Sequence, residues 1–175
     1  ETAFYVDSGL SYSGSATTAI VGLAHLAGET VAVWGDGAVQ PSVVVNPEGE
    51  LKLQQAVSTA IIGLPFTSRI KTLKLEGGGS AGTIIGKQKK IFATTMILLN
   101  AHTAKIGPDT ANLIEFDFRE VSDPMDAGTP LFTGEFFREF EGDFTSDARF
   151  IIETSAPAPF TLLGLAPEVE LHDQT

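Results

Sequence analysis

The feature that most limits what this chain can fold into is its punctuation. Short apolar runs are cut by Gly, Pro, Asp and Asn, and within several runs apolar and polar residues alternate. A period of two belongs to strands, whose successive side chains point to opposite faces, whereas a helix needs a spacing near 3.6. Thr30–Trp34 is one such run. Gly35-Asp36-Gly37 follows it, then Ser42–Val45. An Asp-Gly pair between apolar runs predicts a hairpin, because both residues tolerate positive φ. Asn46-Pro47-Glu48-Gly49 predicts a second turn. Beyond it, Leu51 and Leu53 alternate with Lys52 and Gln54, and Ala56–Leu64 is a longer apolar run. Ile70–Leu75 alternates again, Lys87–Asn100 reads as one long strand, and Leu113–Arg119 shows the cleanest alternation. Ala148–Thr154 and Phe160–Leu171 read as closing strands. Only Asn46–Ile62 offers any helical period, and its Val, Ile and Thr content disfavours a helix.

Glu76–Gly86 holds five glycines in eleven residues, which breaks any regular element. The expectation is therefore an all-β fold of two small β units with short strands and long loops. Residues 17–76 form a barrel-like unit in the N-terminal half, 77–86 a Gly-rich loop, and 87–175 a sandwich-like unit in the C-terminal half. The chain opens at Glu1 without a methionine. Residues 1–16 are accordingly expected to be a connector from an upstream part of a longer protein.

Composition narrows the chemistry. The formal net charge is −11, from 22 acidic and 11 basic residues. Sequence-independent binding to nucleic acid relies on Lys and Arg against phosphates, so this balance argues against it. No run approaches the ~20 apolar residues of a membrane helix. With no cysteine, disulfide scaffolds, thiol catalysis and thiolate metal sites are excluded.

The motifs that suggest chemistry are incomplete. Gly86-Lys87 is followed by Gln88, and Ala81 stands where a phosphate-binding loop needs its first Gly. Gly9-Leu10-Ser11-Tyr12-Ser13 resembles a nucleophile elbow but ends in Ser rather than Gly. His25, His102 and His172 are far apart in sequence; His25 reads as a half-buried strand residue and His172 as part of a tail. Carboxylates cluster at Glu135, Glu139, Glu141 and Asp143, and at Asp109, Asp123 and Asp126. Charge runs of this kind are commonly solvated faces, and no EF-hand spacing is present. The reading assigns no catalytic residue, no metal and no cofactor.

The phenylalanines say more. Phe132, Phe136, Phe140 and Phe144 share one face if the segment is a single strand, which predicts a core face. Phe136 and Phe137 are adjacent and cannot both point inward. One of the two is a candidate contact to a neighbouring subunit or domain.

Four segments together carry a resemblance. They are "LAHLAGETVAVWGDGAV" (Leu23–Val39), "GELKLQQAVSTAIIGLPFTSRIKTLKLEGGG" (Gly49–Gly79), "KIGPD" (Lys105–Asp109) and "SDPMDAGTPLFTGE" (Ser122–Glu135). This order resembles the C-terminal region of tailed-bacteriophage virion proteins, the tail nozzle, tail tubular or head–tail stabilisation proteins of short-tailed phages. In that family a Gly-Leu-Pro-aromatic-Thr-Ser segment precedes a Lys-Thr-Leu strand and a Glu-Gly-Gly-Gly loop. Here those are Gly63–Ser68, Lys71–Leu73 and Glu76–Gly79. The resemblance implies a noncatalytic β module of the virion tail, made in the bacterial host cytoplasm. Its partners would be copies of itself in a ring around the DNA exit path, and other tail or head–tail proteins. An acidic wall there would keep DNA phosphates from sticking. The rival expectation is a carbohydrate-binding or receptor-binding β-sandwich, which an exposed aromatic platform around the candidate interface residue Trp34 would favour; one Trp and two Tyr, Tyr5 and Tyr12, are few for stacking sugars. A glycan hydrolase would need two carboxylates facing each other across a cleft.

Overall fold

A computed structural model describes residues 4–79, 82–125 and 127–172. Among them the regular elements are strands, save one short 3-10 turn. In order come β1 (Asp7–Val21), a single 3-10 turn (Ala24–Leu26), β2 (Thr30–Gly35), β3 (Ala38–Val44), β4 (Glu50–Leu64), β5 (Ser68–Lys71), β6 (Gly78–Gly79) and β7 (Gly82–Thr83). Then follow β8 (Gln88–Ala101), β9 (Thr103–Gly107), β10 (Ile114–Asp117), β11 (Phe132–Glu139), β12 (Ile151–Thr154) and β13 (Thr161–His172). The pairings are antiparallel throughout. The chain divides into two compact units that interleave in sequence.

The first unit comprises Glu1–Thr67, Phe118–Leu131 and Ser155–Pro159. Its sheet has the order β1-β4-β2-β3. The expected Asp-Gly hairpin joins β2 to β3: Asp36 and Gly37 take φ of 47° and 81°, the left-handed pair that matches strand twist in a two-residue turn. Leu51 and Leu53 are buried while Lys52 and Gln54 are exposed, as their alternation predicts. With Ile20, Leu23, Val31, Val33, Val45 and Ile62 they form one core. Each such aliphatic side chain gains roughly 1.5–3 kcal/mol on full burial. The runs Glu50–Gln54 and Ala56–Leu64, read as separate, are one strand.

Two expectations about this region change. The sheet ends at β1 and β3, which do not pair with each other, so it is not a closed barrel. And much of the supposed connector 1–16 belongs to β1, whose pairing with β4 starts at Asp7 opposite Leu64. Its Ser, Gly and Thr content reads as a linker, yet Leu10 and Tyr12 pack on the core. Residues 1–3 lie outside the described ones.

The second unit comprises Ser68–Asp117, Phe132–Thr154 and Phe160–Thr175. It is sandwich-like, with one sheet ordered β10-β9-β12-β5 and another ordered β11-β8-β13. Phe116 of the first stacks on Phe136 of the second at 5.3 Å between ring centroids. The division between units thus falls at Thr67/Ser68, ahead of the Gly-rich segment. Within that segment β6 and β7 pair as a minute two-stranded sheet; residues 80 and 81 lie outside the described ones.

Strand β8 is the centre of its sheet. Thr94, Met96 and Leu98 are buried on one face. On the other face Lys89, Ile91 and Ala93 are buried, and the strand opens only from Thr95 onward. Lys89 is wholly buried; its aliphatic stem is enclosed and its ammonium donates to the Ile84 carbonyl at 3.0 Å.

Candidate interaction face

Strand β11 separates Phe136 from Phe137 as its period requires. Phe136 points inward, stacked on Phe116 and edge-on to Phe132 at 5.9 Å. Phe137 points outward and is 49% exposed. The register shows what surrounds it. Phe137 lies opposite Thr95, which lies opposite Ala166. The next row is Glu135, Ile97 and Gly164. A Cβ on Gly164 would sit 3.3 Å from the Ile97 side chain, so the glycine leaves room for Ile97 to lie across the sheet. Ile97 is 43% exposed, Leu99 40% and Leu163 62%.

The outer surface of this half-sheet is therefore an open apolar area centred on β8. Glu139 and Glu168, both paired with Ala93, close one end, and Glu135 stands on the β11 side. Aromatic and aliphatic groups together, rimmed by polar ones, are the composition of interaction surfaces. The period-two reading finds Phe137 but not its neighbours. Ile97, Leu99 and Leu163 come from strands distant in sequence, and only the register unites them.

The remaining phenylalanines depart from expectation. β11 ends at Glu139, so the four Phe do not share one strand. The chain crosses β8 next, where a Cβ on Gly142 would collide with the Ile91 carbonyl oxygen. Phe140 is buried against Phe150 at 5.6 Å, and Phe144 is exposed beside His172. Trp34 lies in the first unit, half-buried on β2 opposite Val39 and Ile61, and does not form an exposed platform.

The other sequence-level candidates are spread through the fold. Gly9–Ser13 is extended strand within β1, not a strand–turn–helix elbow. His25 lies on the 3-10 turn and is exposed, its Nε2 3.0 Å from the Ser8 carbonyl oxygen. His102 follows β8 and is half-buried; burial lowers its pKa and the Asp117 carboxylate partly offsets this. His172, expected in a tail, is the last residue of β13, paired with Gln88. Asp123 accepts the Glu120 backbone N–H at 2.8 Å. Asp126 lies outside the described residues.

A cleft of about 490 Å³ in the second unit gathers Asp109, Glu141, Asp143 and Asp147 with Lys71 and Arg149. Two of its carboxylates are already engaged by neighbouring groups. Asp109 accepts from the backbone of Ala111 and Asn112 and from the Asn112 side-chain amide, and that amide foremost holds its carboxyl below the usual range. Asp147 pairs with Arg149 at 2.8 Å. Among the described residues no three His, Asp or Glu side chains converge as they would around a metal ion, and no helix is long and apolar enough to cross a membrane.

No protein-family model matches the chain, and no curated protein matches it.

Proposed function

We propose that this chain is a noncatalytic structural component of a bacteriophage virion. It serves as a tail-nozzle or head–tail module that joins copies of itself in a ring around the DNA exit path. The observation that carries the assembly reading is the open face around Phe137, with Ile97, Leu99 and Leu163 beside it. The phage reading draws its support from the segments that resemble short-tailed-phage tail proteins.

The rim of the face favours a ring over a symmetric pair. Glu135, Glu139 and Glu168 on its rim are better complemented by a surface that carries cationic groups than by a second acidic rim. It therefore meets a different surface, in the head-to-tail geometry that closes rings. The exposed strand β5 supplies an apolar Ile70 and a cationic Lys71 of the complementary kind, while Arg69 between Ser68 and Ile70 is paired with Glu153.

The test is the molar mass of the purified particle by light scattering, joined to imaging. A defined ring that Phe137→Ser dissolves is the expected result. A monomer at every concentration, or a ring indifferent to Phe137→Ser, refutes the assignment of this face.

A further inference from the structure

We infer that β1 is a second, separate contact: its outer edge pairs antiparallel with β1 of another copy of this chain. Edge strands present unpaired N–H and C=O groups, and proteins blunt them with charge, Pro or brevity. The other edges here are blunted. β3 carries Pro41, and β13 carries Pro167, Glu168 and Glu170. β11 carries Glu135, Arg138 and Glu139. β10 and β5 are four residues each and charged. β1 differs: from Ser8 to Val21 it has neither a charged residue nor a proline, and between its register shifts at Asp7/Leu10 and Ser13/Thr17 it keeps a regular run from Leu10 to Ser13.

Its free backbone groups can be located. Thr59 of β4 spends both its backbone groups on Asp36: its carbonyl accepts the Asp36 N–H at 2.9 Å and its N–H donates to the Asp36 carboxylate at 2.8 Å. Those bonds lie on the β2 side of β4. Ser13, opposite Thr59 on the other side, is thus in a non-hydrogen-bonded pair with it. Its N–H and C=O point away from β4, to the open edge. Ser11, two residues earlier in the same register opposite Ile61, does the same. Both side chains are exposed, while Leu10 and Tyr12, which alternate with them, are held by the core.

The occupant follows from charge and shape. Strand addition draws affinity from the backbone and specificity from side-chain pockets. Beside Ser11 and Ser13 this edge offers small hydroxyls, so it selects a partner strand that is itself small and uncharged. The chain supplies one. In a chain of net charge −11, β1 is an edge along which two copies meet without setting acid against acid. Ser11 of each copy faces Ser13 of the other, and each such pair exchanges two hydrogen bonds.

The experiment uses the whole chain carrying Phe137→Ser, which removes the other face. Sedimentation at rising concentration is combined with amide exchange at Ser11 and Ser13. The expected result is a mass that doubles with concentration while those two amides slow together. Ser13→Pro, which deletes an N–H that β4 does not use, holds the chain monomeric with an unchanged circular dichroism spectrum. Should that variant unfold, Ser13→Lys keeps the N–H, brings the two lysines to diagonal positions about 7–8 Å apart across the paired strands, and is expected to be monomeric too. A monomer up to about 1 mM overturns the proposal, since any weaker pairing is negligible. So does a dimer that survives folded Ser13→Pro or Ser13→Lys, or one that leaves the Ser11 and Ser13 amides unprotected.

Discussion

Asp36 connects a turn, a strand and a charge in one residue, which makes its replacement informative. Its carboxylate accepts the backbone N–H of Ser58 at 2.9 Å, that of Thr59 at 2.8 Å, and the Thr59 hydroxyl at 2.8 Å. The Ser58 bond foremost holds its pKa below the ordinary 3.8. Hydrogen bonds to a charged group are worth about 1.5–3 kcal/mol each when sheltered. Asp36 is exposed, so solvent screening cuts this several-fold. Asp36→Asn keeps the positive φ and one acceptor oxygen but removes the charge, and about 1 kcal/mol is expected to be lost. Asp36→Ala removes every acceptor and places a Cβ residue without a polar compensation at φ 47°. That adds about 1–2 kcal/mol of left-handed strain, for a total near 3 kcal/mol.

The sign with pH follows from the depressed pKa. A carboxyl whose folded pKa lies below its unfolded one contributes fully above the unfolded value, and loses the contribution as pH falls through the folded value. Urea melts followed by circular dichroism at several pH values are the assay. The gap between the wild type and Asp36→Asn is expected to stay constant from about pH 5 to 8 and to shrink as pH falls below the ordinary 3.8 and through the lower folded value, where the carboxyl takes up its proton. Using the difference cancels the titration of the other carboxylates. A gap that persists unchanged at pH 2, or no gap at pH 7, refutes the argument that the charge strengthens these bonds.

Phe136 and Phe137 are neighbours with opposite expected costs. Phe136→Ala empties a stacked inner position and is expected to cost about 3 kcal/mol in a denaturation melt; Phe137→Ser is expected within about 0.5 kcal/mol of the wild type. Gly107→Ala is expected to destabilise by about 2 kcal/mol, because its Cβ would collide with the Asn112 carbonyl oxygen and push out the loop that Asp109 holds. A melt of that variant equal to the wild type would show that the loop yields freely. His102 has its pKa lowered by burial, so the unfolded chain takes up the proton first and stability falls as pH drops below about 6.5. His102→Gln is expected to flatten that slope between pH 5 and 7, and Asp117→Asn to steepen it.

The parts of this fold that could be read from the sequence are those set by neighbouring residues. The Asp36-Gly37 hairpin is visible because positive φ is a local demand. Leu51 and Leu53 against Lys52 and Gln54 is visible because burial on one face leaves a period of two. What escaped reading depends on partners far along the chain. β1 looks like a linker because Ser and Gly dominate it, and the packing of Leu10 and Tyr12 is decided by β4. Lys89 falls in the run read as one long strand, and its burial goes with a pairing to Thr145, beyond β11, that no local pattern announces. The barrel expected for residues 17–76 counted strands correctly in kind but could not show that β1 and β3 leave the sheet open. For the interaction face, adjacency of Phe136 and Phe137 forced one of them outward. Their patch of Ile97, Leu99 and Leu163 required the register of three strands.

Charge gives the two proposed contacts different characters. The Phe137 face has its apolar centre on β8 and acids on its flanks, so its affinity comes from burial and its choice of partner from the rim. Salt should weaken the discrimination there more than the apolar grip, because exposed charges are screened within about 8–10 Å at ordinary ionic strength. The β1 edge has no charges to screen between Ser8 and Val21. Adding salt lessens the general repulsion between copies of net charge −11 and leaves the backbone pairing itself untouched. Raising salt from about 0.05 to 0.5 M is therefore expected to strengthen association in the Phe137→Ser chain. In a Ser13→Pro chain that retains Phe137, the same change is expected to weaken any contact of Glu135, Glu139 and Glu168 with a cationic surface. Identical salt responses in the two variants would mean that one surface serves both associations, and the separation argued from β1 and β11 would fail.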